Sequence, residues 1–253
     1  MLILSIVDIL KPQLLIREKD FLLVYKPPRM HSVPLASSAG ETVLDWSAMQ
    51  FPEIRDLPGR RAGEGGLLHR LDYETQGLML LARTKSGMKA LLDQQKEGKI
   101  QKEYSALAMK SKLELPGFPA ERPEFPSRTM ESAFRPYGPG RKSVRPVLID
   151  ALKSGKKPQL YLTEILESSS TSVTGILSFR LRISKGFRHQ IRSHLAWMGA
   201  PILNDKLYGG PGHGNGFLAL RACSLSFNDP SSGEERSYLI SPLLLEAISY
   251  IDK

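Results

Sequence analysis

The sequence predicts an α+β protein: a mixed, mostly antiparallel sheet with helices packed on it. Three observations lead there. Strand signals, in the N-terminal run, at 21–26, 78–82 and 99–109 and on either side of 167–175, outnumber the helical stretches. Strand and helix signals follow one another without regular βα alternation. Leu177, Phe179, Leu181 and Ile183 alternate with Ser178, Arg180 and Arg182, the pattern of a strand with one buried and one wet, basic face.

The N-terminal MLILSIVDIL is apolar, yet it runs only ten residues, carries Asp8 and has no basic leader. It reads as an edge strand rather than a signal peptide or a membrane span. FLLVYK (21–26) is a strand stopped by Pro27-Pro28. Ser38, with Glu41 three residues on, has the spacing of a capping box for a helix that ends before Pro52. The Gly-rich loop DLPGRRAGEGG (56–66) leads into LLHRLDYETQGLMLLAR (67–83), in which Leu78–Ala82 has strand length. Ser86 is placed to cap a helix carrying Met88, Leu91 and Leu92, with Gly98 at its end. KIQKEYSALAM (99–109) is the next strand. Residues 111–130 form a Pro-rich loop or insertion, with four prolines between 114 and 126. Two strands pair across 167–175. From Arg188 the apolar period becomes helical, with Ile191, Leu195 and Met198 as its stripe. Ser241-Pro242 opens a final helix through Ile248 and Ile251. No internal repeat divides the chain, and one catalytic domain over 1–253 is expected.

The formal charge of +9 suggests a polyanionic partner, and its distribution sharpens the point. Residues 135–158 hold seven lysines and arginines against one acid, Asp150, and 176–192 hold five bases and no acid. Such clusters are the footprint of phosphate contacts, although a charge run is often a solvated face. The single cysteine, Cys223, excludes an internal disulfide and a cysteine-built zinc site, and suits a reducing compartment. His189 and His194 are five apart, wrong for a helical metal pair, and His31, His69 and His213 offer no complement, so no metal is expected. GGPGHGNG (209–216) lacks the Lys-Ser/Thr of a phosphate loop and reads as a flexible loop. Asp72 and Glu74 sit too close together to straddle a sugar.

Three sets of residues are candidates for chemistry. Arg70 and Asp72 form a charged pair between a Gly-rich loop and an apolar strand, where scaffolds present reactive groups. The plainer reading of Asp72 is a turn cap with Arg70 as its surface partner. Tyr104, on the next strand, has the reach to stack on a base or move a proton, although most tyrosines are amphipathic core residues. Arg188 and Arg192 are four apart at a helix start, which suits phosphate or carboxylate binding or two solvated arginines equally.

REKDFLLVYKPPRMHSVP (17–34), HRLDYETQGLMLLAR (69–83), KEYSAL (102–107), RHQIRSHLAWMGAPILNDKLYGG (188–210) and LALRACSL (218–225), in that order, resemble the RluA-type pseudouridine synthases over most of the chain. The resemblance implies a mostly antiparallel sheet with a central catalytic cleft. It also implies isomerisation of uridine in ribosomal or transfer RNA to pseudouridine, without cofactor or metal. By resemblance Asp72 is the essential carboxylate, attacking sugar or base or assisting glycal formation. Tyr104 is the active-site tyrosine, and Arg70 enters the RNA stack when the uridine is flipped out. Leu220 lines the pocket, and His69 and Arg192 join Arg70 on the substrate side. Three positions depart from the family pattern. Gln76 replaces the serine of T-S-G, Arg221 stands where histidine is common, and in Gly186-Phe187-Arg188 a phenylalanine takes the place of the arginine that pairs with the aspartate. Arg188, one position along, then becomes the candidate cation and catalytic partner. Too few residues precede the first strand for an S4 domain, so recognition is expected to rest on the catalytic domain and its basic 135–158 segment. A cytoplasmic monomer with an RNA partner and no membrane partner is expected. The rival is an RNA-binding protein of the same fold, without catalysis, that acts in RNA folding or ribosome assembly.

Overall fold

A computed structural model of the chain describes residues 1–6, 8–34, 41–148, 158–214 and 216–241. Its strands are β1 (Leu2–Leu4), β2 (Gln13–Arg17), β3 (Phe21–Lys26), β4 (Gln76–Ala82), β5 (Gln101–Met109), β6 (Thr129–Tyr137), β7 (Ser143–Val147), β8 (Tyr161–Ser170), β9 (Ile176–Ile183), β10 (Leu220–Asn228) and β11 (Glu235–Ile240). Its helices are α1 (Val43–Gln50), α2 (Lys85–Lys96) and α3 (Gln190–Trp197). The class is α+β, and the strands are mixed and mostly antiparallel. The described residues divide into two compact units, Met1–Lys102 with 221–241, and Glu103–Leu220. The expected final helix and Ser38 lie outside the described residues.

In the first unit the strand order is β2-β3-β4-β10-β11-β1. β3 and β4 are antiparallel and buried along their whole length, which is why both read as continuous apolar runs. β4 meets β10 in a short parallel contact, Gln76 with Arg221 and Gly77 with Ala222. Phe21 packs edge-on against Phe227 at 5.0 Å within a core that also takes Leu80, Met88, Leu91 and Leu225. Each such side chain contributes roughly 1.5–3 kcal/mol on burial. The N-terminal strand is real but short: β1 covers three residues at the edge beside β11.

Both helix starts differ from expectation. α1 begins at Thr42, whose hydroxyl accepts from Asp45 N while Asp45 returns a bond to the Thr42 backbone, so the capping box lies four residues beyond Ser38. α2 is capped by Thr84, not Ser86: Thr84 Oγ1 accepts from Gly87 N at 3.0 Å and also bonds the Asp20 carboxyl. That second partner, from another part of the chain, selects between two hydroxyls two residues apart.

In the second unit the order is β5-β9-β8-β6-β7. β8 and β9 pair as expected, with Ser170 opposite Leu177. Phe179, Leu181 and Ile183 are buried, as the alternation requires. The opposite face is not a free basic surface. Arg182 bonds Glu103 at 2.6 Å and Arg180 bonds Glu167 at 2.6 Å, so acids from β5 and β8 pair with the two arginines of this face. No strand or helix forms between Lys110 and Arg128. This stretch is held down by Trp197 Nε1 donating to Glu121 O at 2.9 Å and Arg145 Nε donating to Pro116 O at 2.9 Å.

α3 starts at Gln190, two residues after Arg188, because His189 takes a left-handed φ of 56°. Ile191, Leu195 and Met198 are buried as expected. His194 on the same helix is also buried, between the hydroxyls of Ser132 and Thr163 at 2.9 Å each. Burial pushes His194 down to about 3, and in the first unit burial, with Lys102 and Arg60 nearby, pushes His69 down to about 3. An unfolded chain protonates both near 6.5, so the unfolded state binds more protons as pH falls below that value. Stability should then drop by about 1.4 kcal/mol per histidine per pH unit between roughly pH 6.5 and 4. Urea midpoints at pH 7 and pH 5 check this, and equal midpoints would contradict it.

Candidate active site

The segment carrying Asp72 is built against β4. Gly66 O accepts from Ala82 N at 2.7 Å, and Leu68 N donates to Leu80 O at 3.1 Å. The next residue closes the same ladder with its side chain: Leu80 N donates to His69 Nε2 at 3.2 Å. A buried, neutral His69 acts here as a backbone acceptor, which forces its proton onto Nδ1. That gives His69, a candidate on the substrate side, a buried structural contact within the first unit. Arg70 is exposed, and its ion-pair partner is Glu64 at 3.4 Å. The guanidinium is half-exposed and the Glu64 carboxylate beside it is buried.

Asp72 is half-buried at the head of a turn in which Thr75 N donates to Asp72 O at 3.1 Å. Three anchors hold that turn. Ser32 Oγ donates to Leu71 O at 2.9 Å and accepts from Leu71 N at 3.1 Å. Lys26, fully buried at the end of β3, spends its amine on the carbonyls of Pro27 (2.9 Å), Met30 (2.7 Å) and Tyr73 (3.1 Å). Burial pushes Lys26 down to about 7, while the charges of Asp72 and Glu74 pull the other way. The third anchor is Gln76, buried at the start of β4, whose Oε1 accepts from Tyr25 OH at 2.8 Å and from Arg221. Gly77 follows with a φ of 126°, and a Cβ there would lie 2.2 Å from Ala222 O. The glycine after Thr75-Gln76 is thus required by the close approach of β4 to β10.

The remaining candidates belong to the second unit. Tyr104 is buried on β5. Leu220 is buried as well, directly after Ala219, whose carbonyl accepts from Leu107 N at 3.0 Å, so it is tied to the strand that carries Tyr104. Arg188 is exposed and donates to Arg141 O at 2.6 Å and Ser143 O at 3.2 Å, fastening the β6–β7 turn. Arg192 is not a solvated partner of Arg188. It is buried and forks onto the carboxylate of Asp205, Nε to Oδ2 at 2.7 Å and Nη2 to Oδ1 at 2.8 Å. It does bind a carboxylate, an internal one, with those two donors. Phe187, in the arginine's place, stacks on Phe134 with centroids 5.1 Å apart and an interplanar angle of 7°, beside Tyr161. Near the glycine-rich run, the Asn204 amide donates to His213 O at 2.7 Å and accepts from His213 N at 2.7 Å.

Lys26 and Ser32 escaped the sequence reading. The signal for Lys26 was present: a lysine closing an apolar strand that has no polar face. Among the described residues no three His, Cys, Asp or Glu side chains gather to hold a metal ion, and no helix is long and apolar enough to cross a membrane. A half-buried carboxylate on a rigid turn beside a buried amine has the means to act as a nucleophile or a base.

Comparison with known proteins gives this geometry a family. The chain is 28% identical over 233 residues to the ribosomal large subunit pseudouridine synthase D of Haemophilus ducreyi, covering 86% of this chain and 63% of the relative. It is 30% identical over 195 residues to the protein of that name from Pasteurella multocida, covering 76% and 51%. The chain therefore spans less than two thirds of the length of these relatives. The solved structure of human RNA pseudouridylate synthase domain containing 1 shares the fold, with a TM-score of 0.62 at 20% identity over 96% of this chain and 89% of that one. The family model described as RNA pseudouridylate synthase matches residues 20–197, and the chain belongs to that family.

Proposed function

We propose that this chain isomerises uridine to pseudouridine in RNA, with Asp72 as the essential carboxylate. The observation that supports it most is the Asp72 turn: a half-buried carboxylate on a turn whose neighbouring backbone groups, Leu71 and Tyr73, are held by Ser32 and Lys26, within the segment that matches the family. In this reading the N1–C1′ bond of the target uridine breaks, the uracil turns, C5 bonds to C1′, and the C5 proton leaves to solvent. Asp72 attacks sugar or base or assists glycal formation. Tyr104 lies against the base, Leu220 lines the pocket, and exposed Arg70 takes the place of the flipped nucleotide in the stack. The names of the relatives favour large-subunit ribosomal RNA over transfer RNA. The protein acts as one catalytic domain, as a cytoplasmic monomer needing neither cofactor nor metal, and RNA affinity rests on exposed bases such as Arg135, Arg141 and Lys142.

Isomerisation conserves mass, so the test is nucleoside chromatography of a digest after incubating unmodified ribosomal and transfer RNA with the protein. New pseudouridine in the ribosomal pool is expected. Tight binding with no new pseudouridine in either pool would favour the rival, an RNA-binding protein of this fold, for which the aromatic packing of Phe187 is the supporting observation. Arg188 is assigned the cationic role left open by Phe187, and Arg188→Ala is expected to lower turnover about tenfold. Wild-type turnover in that variant would move the role to Lys26 or another base.

A further inference from the structure

Two of the departures from the family pattern, Gln76 and Arg221, are each other's partner. Arg221 Nη2 donates to Gln76 Oε1 at 3.0 Å and Nε reaches the same oxygen at 3.3 Å. Both residues are nearly inaccessible, 3% and 4% exposed, and they face one another in the parallel register of β4 and β10. Arg221 Nη1 also donates to Ser241 O at 3.0 Å, so one planar fork spans the start of β4 and the end of β11. Tyr25 OH meets the same Gln76 oxygen at 2.8 Å from β3. Gln76 directly follows Thr75, the residue whose backbone closes the Asp72 turn. Thr75 is itself buried, 2% exposed.

We propose that Gln76 and Arg221 form a coupled positioning pair for Asp72: the amide oxygen and the guanidinium fork lock the downstream end of the 72–75 turn onto β10, and so set where the carboxylate points. The pair rests on the reading of Asp72 as the reacting group. Neither residue touches substrate; each acts through the turn. A serine at position 76 is too short to reach the fork, and a histidine at 221 cannot bridge to both Gln76 and Ser241. The two departures are therefore one linked change rather than two separate ones.

The test uses the full chain with Gln76→Leu, Gln76→Glu, Arg221→Met and the double variant Gln76→Leu/Arg221→Met. Gln76→Leu and Arg221→Met are expected to lose about tenfold or more in kcat with KM within about twofold, and the double variant should be no worse than the poorer single, as for residues acting as a unit. Gln76→Glu keeps the acceptor and should stay within about threefold of wild type. Independently of turnover, hydrogen exchange at the Thr75 amide should quicken by about tenfold in both single variants while the Leu80 amide keeps its protection. Losses that multiply in the double variant, a loss carried by KM, or a Gln76→Glu variant as poor as Gln76→Leu would overturn the pair. So would unchanged exchange at Thr75. A wild type without turnover on any RNA pool would sink the catalytic reading instead, and Thr75 exchange would still decide whether the pair holds the turn.

Discussion

Asp72→Asn is expected to lower turnover by about 10⁴-fold while RNA affinity stays within about twofold. The substitution is isosteric and removes only the charge. The turn is fixed by contacts that do not involve the side chain: Ser32 on both backbone groups of Leu71, Lys26 on Tyr73 O, and Thr75 N on Asp72 O. The fold around position 72 should therefore survive. Affinity depends on bases exposed elsewhere, so binding should keep both its strength and its salt dependence. Losing the nearby negative charge also removes one of the two influences that hold the proton on Lys26, whose affinity for it should fall further. Filter binding and single-turnover kinetics on one RNA check both halves. Comparable loss of binding and turnover would mean that Asp72 anchors substrate; retained turnover would remove it from the mechanism.

The largest effect on stability is expected at Asp205. Asp205→Ala removes a fully buried carboxylate from the guanidinium of Arg192, and breaking one side of such a pair costs about 3–5 kcal/mol. The geometry puts this case at the upper end: two parallel bonds of 2.7 and 2.8 Å, side chains 7% and 0% exposed, and the Tyr208 ring 5.3 Å from the guanidinium carbon. The double variant Arg192→Met/Asp205→Leu removes both charges of this pair and should recover part of the loss, because a buried ion pair can be replaced by apolar side chains at less cost than breaking one side of it. Urea titrations of the single and double variants measure the coupling. A single variant within about 1 kcal/mol of wild type would show that water reaches Arg192 and that the pair is not buried in solution.

What the sequence made legible was whatever local pattern encodes. β3 and β4 are continuous apolar runs because both their faces are covered, and β9 alternates because only one is. The stripe of α3 and the role of Gly98 as the positive-φ residue after α2 follow from helical spacing and from glycine's access to left-handed backbone. The errors share a different cause. Thr84 rather than Ser86 caps α2 because Asp20 reaches it from 64 residues away. Arg180 and Arg182 look like a phosphate surface until Glu103 arrives from a strand about 80 residues earlier. Arg192 looks solvated until Asp205 takes it inside. Each charge was visible, and its partner, set by the tertiary fold, was not. The site shows the same division: the motif pointed to Asp72, while Lys26, Ser32 and the Gln76–Arg221 contact became apparent only once β3, β4 and β10 were side by side.

The central claim, that Asp72 isomerises uridine, is tested most directly by tritium release from RNA transcribed with [5-³H]uridine. Bonding of C5 to C1′ must expel the C5 hydrogen, so every turnover releases one label to water. Wild type should release label from ribosomal RNA, reaching a plateau that counts its sites, and Asp72→Asn should release none on the same timescale. Release that is equal in both proteins, or absent in wild type while the RNA remains bound, would contradict the account.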